Sequence, residues 1–120
     1  MIRKVNLAEK FAHIEEPWRP RIIAALNGQE VKLVRLSGQF VWHKHPEEDE
    51  LFLCLAGRFR VELRDGVVEV EAGELVVVPR GTEHRTAADE EAQVLVFEPA
   101  GTRNTGNVMH PAFTAPPEWL

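Results

Sequence analysis

Residues 41–52, VWHKHPEEDELF, set two histidines one residue apart and follow them with four acidic residues among the next five. Imidazole nitrogens and carboxylate oxygens are ordinary ligands of divalent transition metals. If residues 40–45 lie on a strand, His43 and His45 share a face, because side chains at i and i+2 point the same way. Two neutral imidazoles so placed are half of a metal clamp. Glu47, Glu48, Asp49 and Glu50 all stand close enough in sequence to be considered for the carboxylate.

A second segment supplies the other half. In GELVVVPRGTEH, residues 73–84, an apolar run ends in a Pro-x-Gly turn and a histidine follows. A strand, that turn and His84 just beyond it can aim the imidazole back toward the first pair.

The elements that must position these groups are short strands. RIIAALNGQEVKLVRL places Asn27-Gly28 between two apolar stretches, and both residues tolerate positive φ, which marks a hairpin. In GRFRVELRDGVVEV, Phe59, Val61 and Leu63 alternate with Arg58, Arg60, Glu62 and Arg64 up to a turn at Asp65-Gly66. GELVVVP and AQVLVFEP are further strands closed by prolines, which cannot continue a central ladder. Strand candidates recur every 8–12 residues with turns between them, the pattern of an all-β sandwich or barrel. The exception is NLAEKFAHI, where Asn6 can cap and Leu7, Phe11 and Ile14 share a helical face, predicting a short helix over residues 7–14. A single domain over residues 1–120 is expected, with a core over about 19–99 and an irregular tail over about 100–120.

The two histidine segments together resemble the cupin superfamily of small jelly-roll barrels. The first motif reads Gly38, QFVW, His43, Lys44, His45, PEED, Glu50, LFLCLA, Gly57. The second reads Gly73, five residues, Pro79-Arg80-Gly81, two residues, His84. The resemblance covers residues 38–88. It departs from the family at two places: Gly38 stands four residues before His43 rather than five, and Ala88 stands where an Asn is expected, so Thr86 is a candidate to order that loop. The resemblance implies a single cupin β-barrel whose metal ligands are His43, His45, Glu50 and His84. Asp49 is the alternative carboxylate, and Glu50 could also act as a catalytic base. Such a set implies one divalent transition metal per chain (Fe, Mn, Ni, Co or Zn), with two coordination positions left for a small-molecule substrate.

The remaining candidates have simpler expected roles. Glu47, Glu48 and Asp49 are read as a solvated lip, Cys54 as a buried free thiol, and Arg60, Arg64 and Arg85 as surface groups. Arg80, beside the second motif, is either a substrate contact or a surface group. Phe40 and Trp42 are expected opposite the histidines, against the helix or a second subunit, and Val41, Phe59, Val61 and Leu63 in the lumen. His13 and His110 are read as surface residues. Apolar residues on both faces of LFLCL and LVVV call for cover outside the barrel, which fits a homodimer.

A net charge of −5 with ten arginines and four lysines scattered through the chain argues against nucleic acid. No apolar run approaches the roughly 20 residues of a membrane span. The single cysteine and the lack of a leader pattern make a cytoplasmic location the expectation. The functions expected are a metal-dependent enzyme (a dioxygenase, a sugar or sugar-phosphate isomerase, or a lyase) or, alternatively, a non-catalytic binding or sensor protein.

Overall fold

Asn27 and Gly28 adopt φ of 50° and 76°, closing β1 (Arg21–Leu26) onto β2 (Gln29–Gln39) as a two-residue hairpin. The computed structural model describes residues 2–120 and is all-β apart from one short helix, α1 (Leu7–Phe11). Asn6 caps that helix, its side chain accepting the Glu9 N–H at 3.0 Å. The helix is shorter than the periodicity predicts, yet Ile14 beyond its end is still buried. No helix among the described residues is long and apolar enough to cross a membrane.

The remaining strands are β3 (Glu50–Ala56), β4 (Arg58–Leu63), β5 (Gly66–Glu71), β6 (Leu75–Val78), β7 (Arg85–Pro99) and β8 (Glu118–Trp119). The β4–β5 turn is made by Arg64 and Asp65, one residue earlier than Asp65-Gly66. The 15-residue β7 organises the sheet. It pairs with β2 along nearly its whole length, and on its other edge with β4 near its start and β3 near its end. Strand β3 also pairs with β6, and all of these pairings are antiparallel. The tail is irregular until β8, which pairs in parallel with β1.

One face of this curved sheet encloses the main core. Val34, Leu36, Phe52, Cys54, Phe59, Val61, Val70, Val94 and Val96 pack there. On the outer face, α1 covers Ile23 and Leu33 with Phe11 and Ile14. Beyond the helix the outer face stays apolar. The pairs Leu33↔Leu95, Leu95↔Leu53 and Leu53↔Leu75 form one row across four strands, and Val31, Phe97, Leu51 and Val77 form the next. Leu75 and Val77, at the far end of these rows, are 60% and 49% exposed.

Candidate metal centre

Residues 40–45 are not the strand that the sequence predicts. Strand β2 ends at Gln39, after a register shift between Leu36 and Gly38, and only His43 continues the pairing. His43 and His84 exchange both backbone hydrogen bonds, each at 2.9 Å, and Gly81 N–H donates to the His45 carbonyl at 2.8 Å. The two histidine segments are thus tied to one another directly. His43 and His45 are both buried, and their rings lie 5.0 Å apart.

Glu50 is the first residue of β3, and its side chain points inward. One ligand atom from each of His43, His45, Glu50 and His84 can be chosen so that all lie within 4.8 Å of one another. Donors about 2.1 Å from one ion stand at most about 4.2 Å apart, so a small inward movement would let all four share it. His45 Nε2 lies 3.3 Å and His84 Nε2 3.5 Å from Glu50 Oε1. Both ring nitrogens of His45, Nε2 of His84 and Oε1 of Glu50 are buried without a hydrogen-bond partner. Such orphaned groups are rare because each costs free energy. One such atom from each of His45, His84 and Glu50 converges in one place, a set that fits a cation.

The electrostatics also prepare ligands. Burial, reinforced by His84, lowers the His43 pKa from 6.5 to about 4, so its imidazole is neutral at ordinary pH. Its Nδ1 lies 2.8 Å from the Val41 carbonyl, and Nδ1 of His84 lies 2.9 Å from the Thr82 carbonyl. Each carbonyl selects the tautomer protonated at Nδ1 and leaves Nε2 bare. Burial by itself would raise the Glu50 carboxyl, but the His45 and His84 side chains, 3.3 and 3.5 Å away, outweigh it and hold Glu50 well below the usual carboxylate range.

Asp49 is turned outward. It receives the backbone N–H of Arg80 at 2.8 Å and its guanidinium at 3.3 and 3.2 Å. It has no place in the cluster, and Arg80 is occupied by it at the surface. Arg85 likewise pairs with Glu62 at 2.6 Å, and Cys54 is buried in the core. Four expectations need correction. Phe40 is not opposite the histidines: it stacks on Trp18 at 4.7 Å and meets the His43 ring edge-on at 5.4 Å. Trp42 does not pack on the helix but lies under the guanidiniums of Arg64 and Arg85, at 3.8 and 4.8 Å. Arg60 is bound between Glu62 and Asp89 rather than solvated. His110 is partly buried, and its Nδ1 accepts the N–H groups of Ala112 and Phe113 to shape the tail. His13 is exposed, as expected.

A pocket of about 50 Å³ opens beside the cluster, reaching His43 and Glu50. Its walls include Trp18, Phe40, Phe52, Val34, Leu36 and Val96; the expected lumen residues Phe59 and Val61 pack in the same inner core, with Leu63 against it, but do not line the pocket. Thr86 also faces the pocket, and its carbonyl accepts the Phe40 N–H at 2.9 Å. Ala88, at the expected Asn position, is buried opposite Gly38.

Two residues at the pocket's polar end escape sequence reasoning. Lys32 and Glu98 are 1% and 3% exposed and joined by a 2.9 Å ion pair. Burial and the Glu50 charge push the Glu98 carboxyl well above its usual range, despite the Lys32 ammonium. Lys32, Glu98 and Glu50 thus form a line of buried charged groups ending at the cluster. The available signals were slight: one lysine in the two-sided apolar run VKLV, and one glutamate before a terminating proline. Trp18 and Asn104 are further pocket residues that no motif marks.

The tail braces this site from outside. Asn107 Oδ1 accepts the Lys44 N–H at 2.9 Å, and the Asn107 N–H donates to the Lys44 carbonyl at 3.0 Å. Gly106, at φ 55°, lies so close that a Cβ there would collide with the Lys44 carbonyl and crowd the His43 ring.

Residues 27–98 match the Cupin domain family. The uncharacterised protein YdbB of Bacillus subtilis is 32% identical over 87 residues, covering 72% of this chain and 77% of that protein. An acireductone dioxygenase of Sulfurihydrogenibium is 34% identical over 93 residues. That match covers 74% of this chain and 49% of the dioxygenase, so the chain spans about half of that relative's length. A crystal structure of a cupin-2 domain protein from Shewanella frigidimarina superposes with a TM-score of 0.78 at 39% identity, covering 79% of this chain and 93% of that one.

Proposed function

The chain belongs to the cupin family, and from that footing we propose that it is a metal-dependent enzyme acting on a small molecule, of the oxygenase type. His43, His45, Glu50 and His84 would hold one divalent transition metal, from among Fe, Mn, Ni, Co and Zn. The observation that carries this reading is the convergence of buried, unpartnered nitrogen and oxygen atoms beside a pocket that ends on His43 and Glu50. When bound, the metal supplies Lewis acidity and, if redox-active, chemistry with dioxygen.

The chain's own residues supply the rest. His43 and His84 present bare Nε2 atoms because the Val41 and Thr82 carbonyls hold their Nδ1 protons. Glu50 is kept ionised as a ligand and as the nearest base to a molecule in the pocket, with Glu98 and its partner Lys32 at the pocket's polar end. Trp18, Phe40 and Phe52 exclude water from the approach. The likeness to an acireductone dioxygenase supports an oxygenase over an isomerase or lyase, through the domain that the two share. The uncovered apolar rows ending at Leu75 and Val77 support a homodimer.

Metal analysis of protein prepared without chelator or affinity tag tests the site. About one metal per chain is expected, with nearly complete loss in His84→Ala. Wild-type protein that carries no metal and takes none up would overturn the proposal. Oxygen consumption with candidate substrates then separates an oxygenase from a protein that only binds.

A further inference from the structure

Lys44 stands between His43 and His45, and its backbone has a different neighbour from theirs. His43 exchanges both of its backbone hydrogen bonds with His84, and the His45 carbonyl accepts the Gly81 N–H. In an antiparallel bridge the backbone groups of alternate residues point to opposite edges, so the second histidine segment cannot serve Lys44 as well. The C-terminal tail serves it instead. Asn107 accepts the Lys44 N–H through Oδ1 at 2.9 Å and donates its own N–H to the Lys44 carbonyl at 3.0 Å. One residue of the tail thus takes the place of a neighbouring strand. The turn that presents Asn107 is itself well tied. The Gly106 N–H closes on the Arg103 carbonyl at 2.9 Å and the Val108 N–H on the Thr105 carbonyl at 3.0 Å. The hydroxyl of the buried Thr105 meets that of Thr114 at 2.7 Å. Gly106 lets this turn come close, because a Cβ there would strike the Lys44 carbonyl.

We propose that Asn107 is a positioning residue for the metal centre: by gripping Lys44 from the tail, it fixes the backbone that sets His43 and His45 against each other. The proposal rests on the metal-centre reading above and deepens it. His84, Gly81 and Asn107 anchor the backbone of residues 43–45, and only Asn107 comes from outside the two histidine segments. Without it the Lys44 peptide groups turn to water, and the two rings, 5.0 Å apart, lose their fixed separation. Ligands held in advance bind a metal more tightly than ligands that must be ordered on binding. The linkage runs both ways. Because the docked tail strengthens metal binding, bound metal holds the tail docked by the same factor.

Two measurements with zinc(II) test this: affinity by competition with a chromogenic chelator, and hydrogen exchange of the tail. Asn107 is exposed. Asn107→Ala should weaken zinc binding about tenfold, with the thermal transition of the metal-free protein nearly unchanged. Asn107→Asp keeps the acceptor for the Lys44 N–H and should restore the affinity to near the wild-type value. Working at about 0.5 M salt screens the charge that the aspartate adds. In the wild type, zinc should slow exchange in residues 104–109 more than in the β4–β5 hairpin, which carries no ligand. That preference should vanish in Asn107→Ala. Unchanged zinc affinity in Asn107→Ala overturns the proposal, as does an aspartate variant as weak as the alanine one. Tail exchange that ignores zinc in the wild type overturns it too, and that measurement decides alone if Asn107→Ala does not fold. Each of these results leaves the metal-centre reading standing, whereas wild-type protein that takes up no metal overturns both.

Discussion

His43 carries both the chemistry and a cost. Its folded pKa of about 4 lies below the 6.5 of an exposed imidazole, because burial and His84 disfavour its charged form. Between those values the unfolded chain takes up a proton that the folded chain refuses, so stability falls as pH falls through that window. For the metal-free protein, this residue alone should remove about 2 kcal/mol between pH 7.5 and 5. Urea unfolding at the two pH values checks this, and His43→Asn should flatten that part of the dependence. An unchanged slope in the variant would place the acid sensitivity elsewhere. Glu98 acts in the opposite sense, since its raised pKa favours the fold at low pH and is lost as pH rises through the folded value. The difference between wild type and His43→Asn therefore isolates the histidine.

Element boundaries decide which carboxylate serves the site. Strand β3 begins at Glu50, and antiparallel pairing of Glu50 with Val78 turns that side chain inward. Asp49, one residue earlier, lies outside the ladder and closes onto Arg80. Adjacent residues at a strand's start face opposite ways, so one residue separates an inward-facing carboxylate from a rim group. Asp49→Asn should therefore leave metal content at the wild-type level, while Glu50→Gln should lower metal affinity by a factor of ten or more. Competition with a chromogenic chelator measures both, and the reverse ranking would reassign the carboxylate. The same strand presents Glu50 to Glu98 on β7. Leu51 pairs with Phe97, so the next positions along, Glu50 and Glu98, come side by side. Two acids brought together in the interior are tolerable only with partners, and Lys32 on β2 is one.

At the scale of the molecule, the unsolved burial lies on the outer sheet face. Helix α1 covers only one end of the apolar rows, and Leu75 and Val77 remain largely open. A second copy packed there would remove them from water, at roughly 25 cal/mol per Å² of apolar surface. The double substitution Leu75→Glu and Val77→Glu should turn a dimer into a monomer in sedimentation velocity, with metal content unaffected. A wild-type chain that sediments as a monomer would remove the dimer reading.

The all-β architecture and the Asn27-Gly28 hairpin were legible in the chain, because period-two alternation and positive-φ turn residues are local signals. The gathering of His43, His45, Glu50 and His84 was implied by the resemblance to the cupin motifs. No such signal records that Phe40 and Trp18 line the pocket, that Trp42 is clamped by Arg64 and Arg85, or that Lys32 and Glu98 pair at the pocket's polar end. Trp18 reaches the pocket from a segment outside either histidine motif, and Glu98 lies 66 residues beyond its partner Lys32 in the chain. No local period records which strands become neighbours. That is set when β7 pairs with β2 on one edge and β3 on the other.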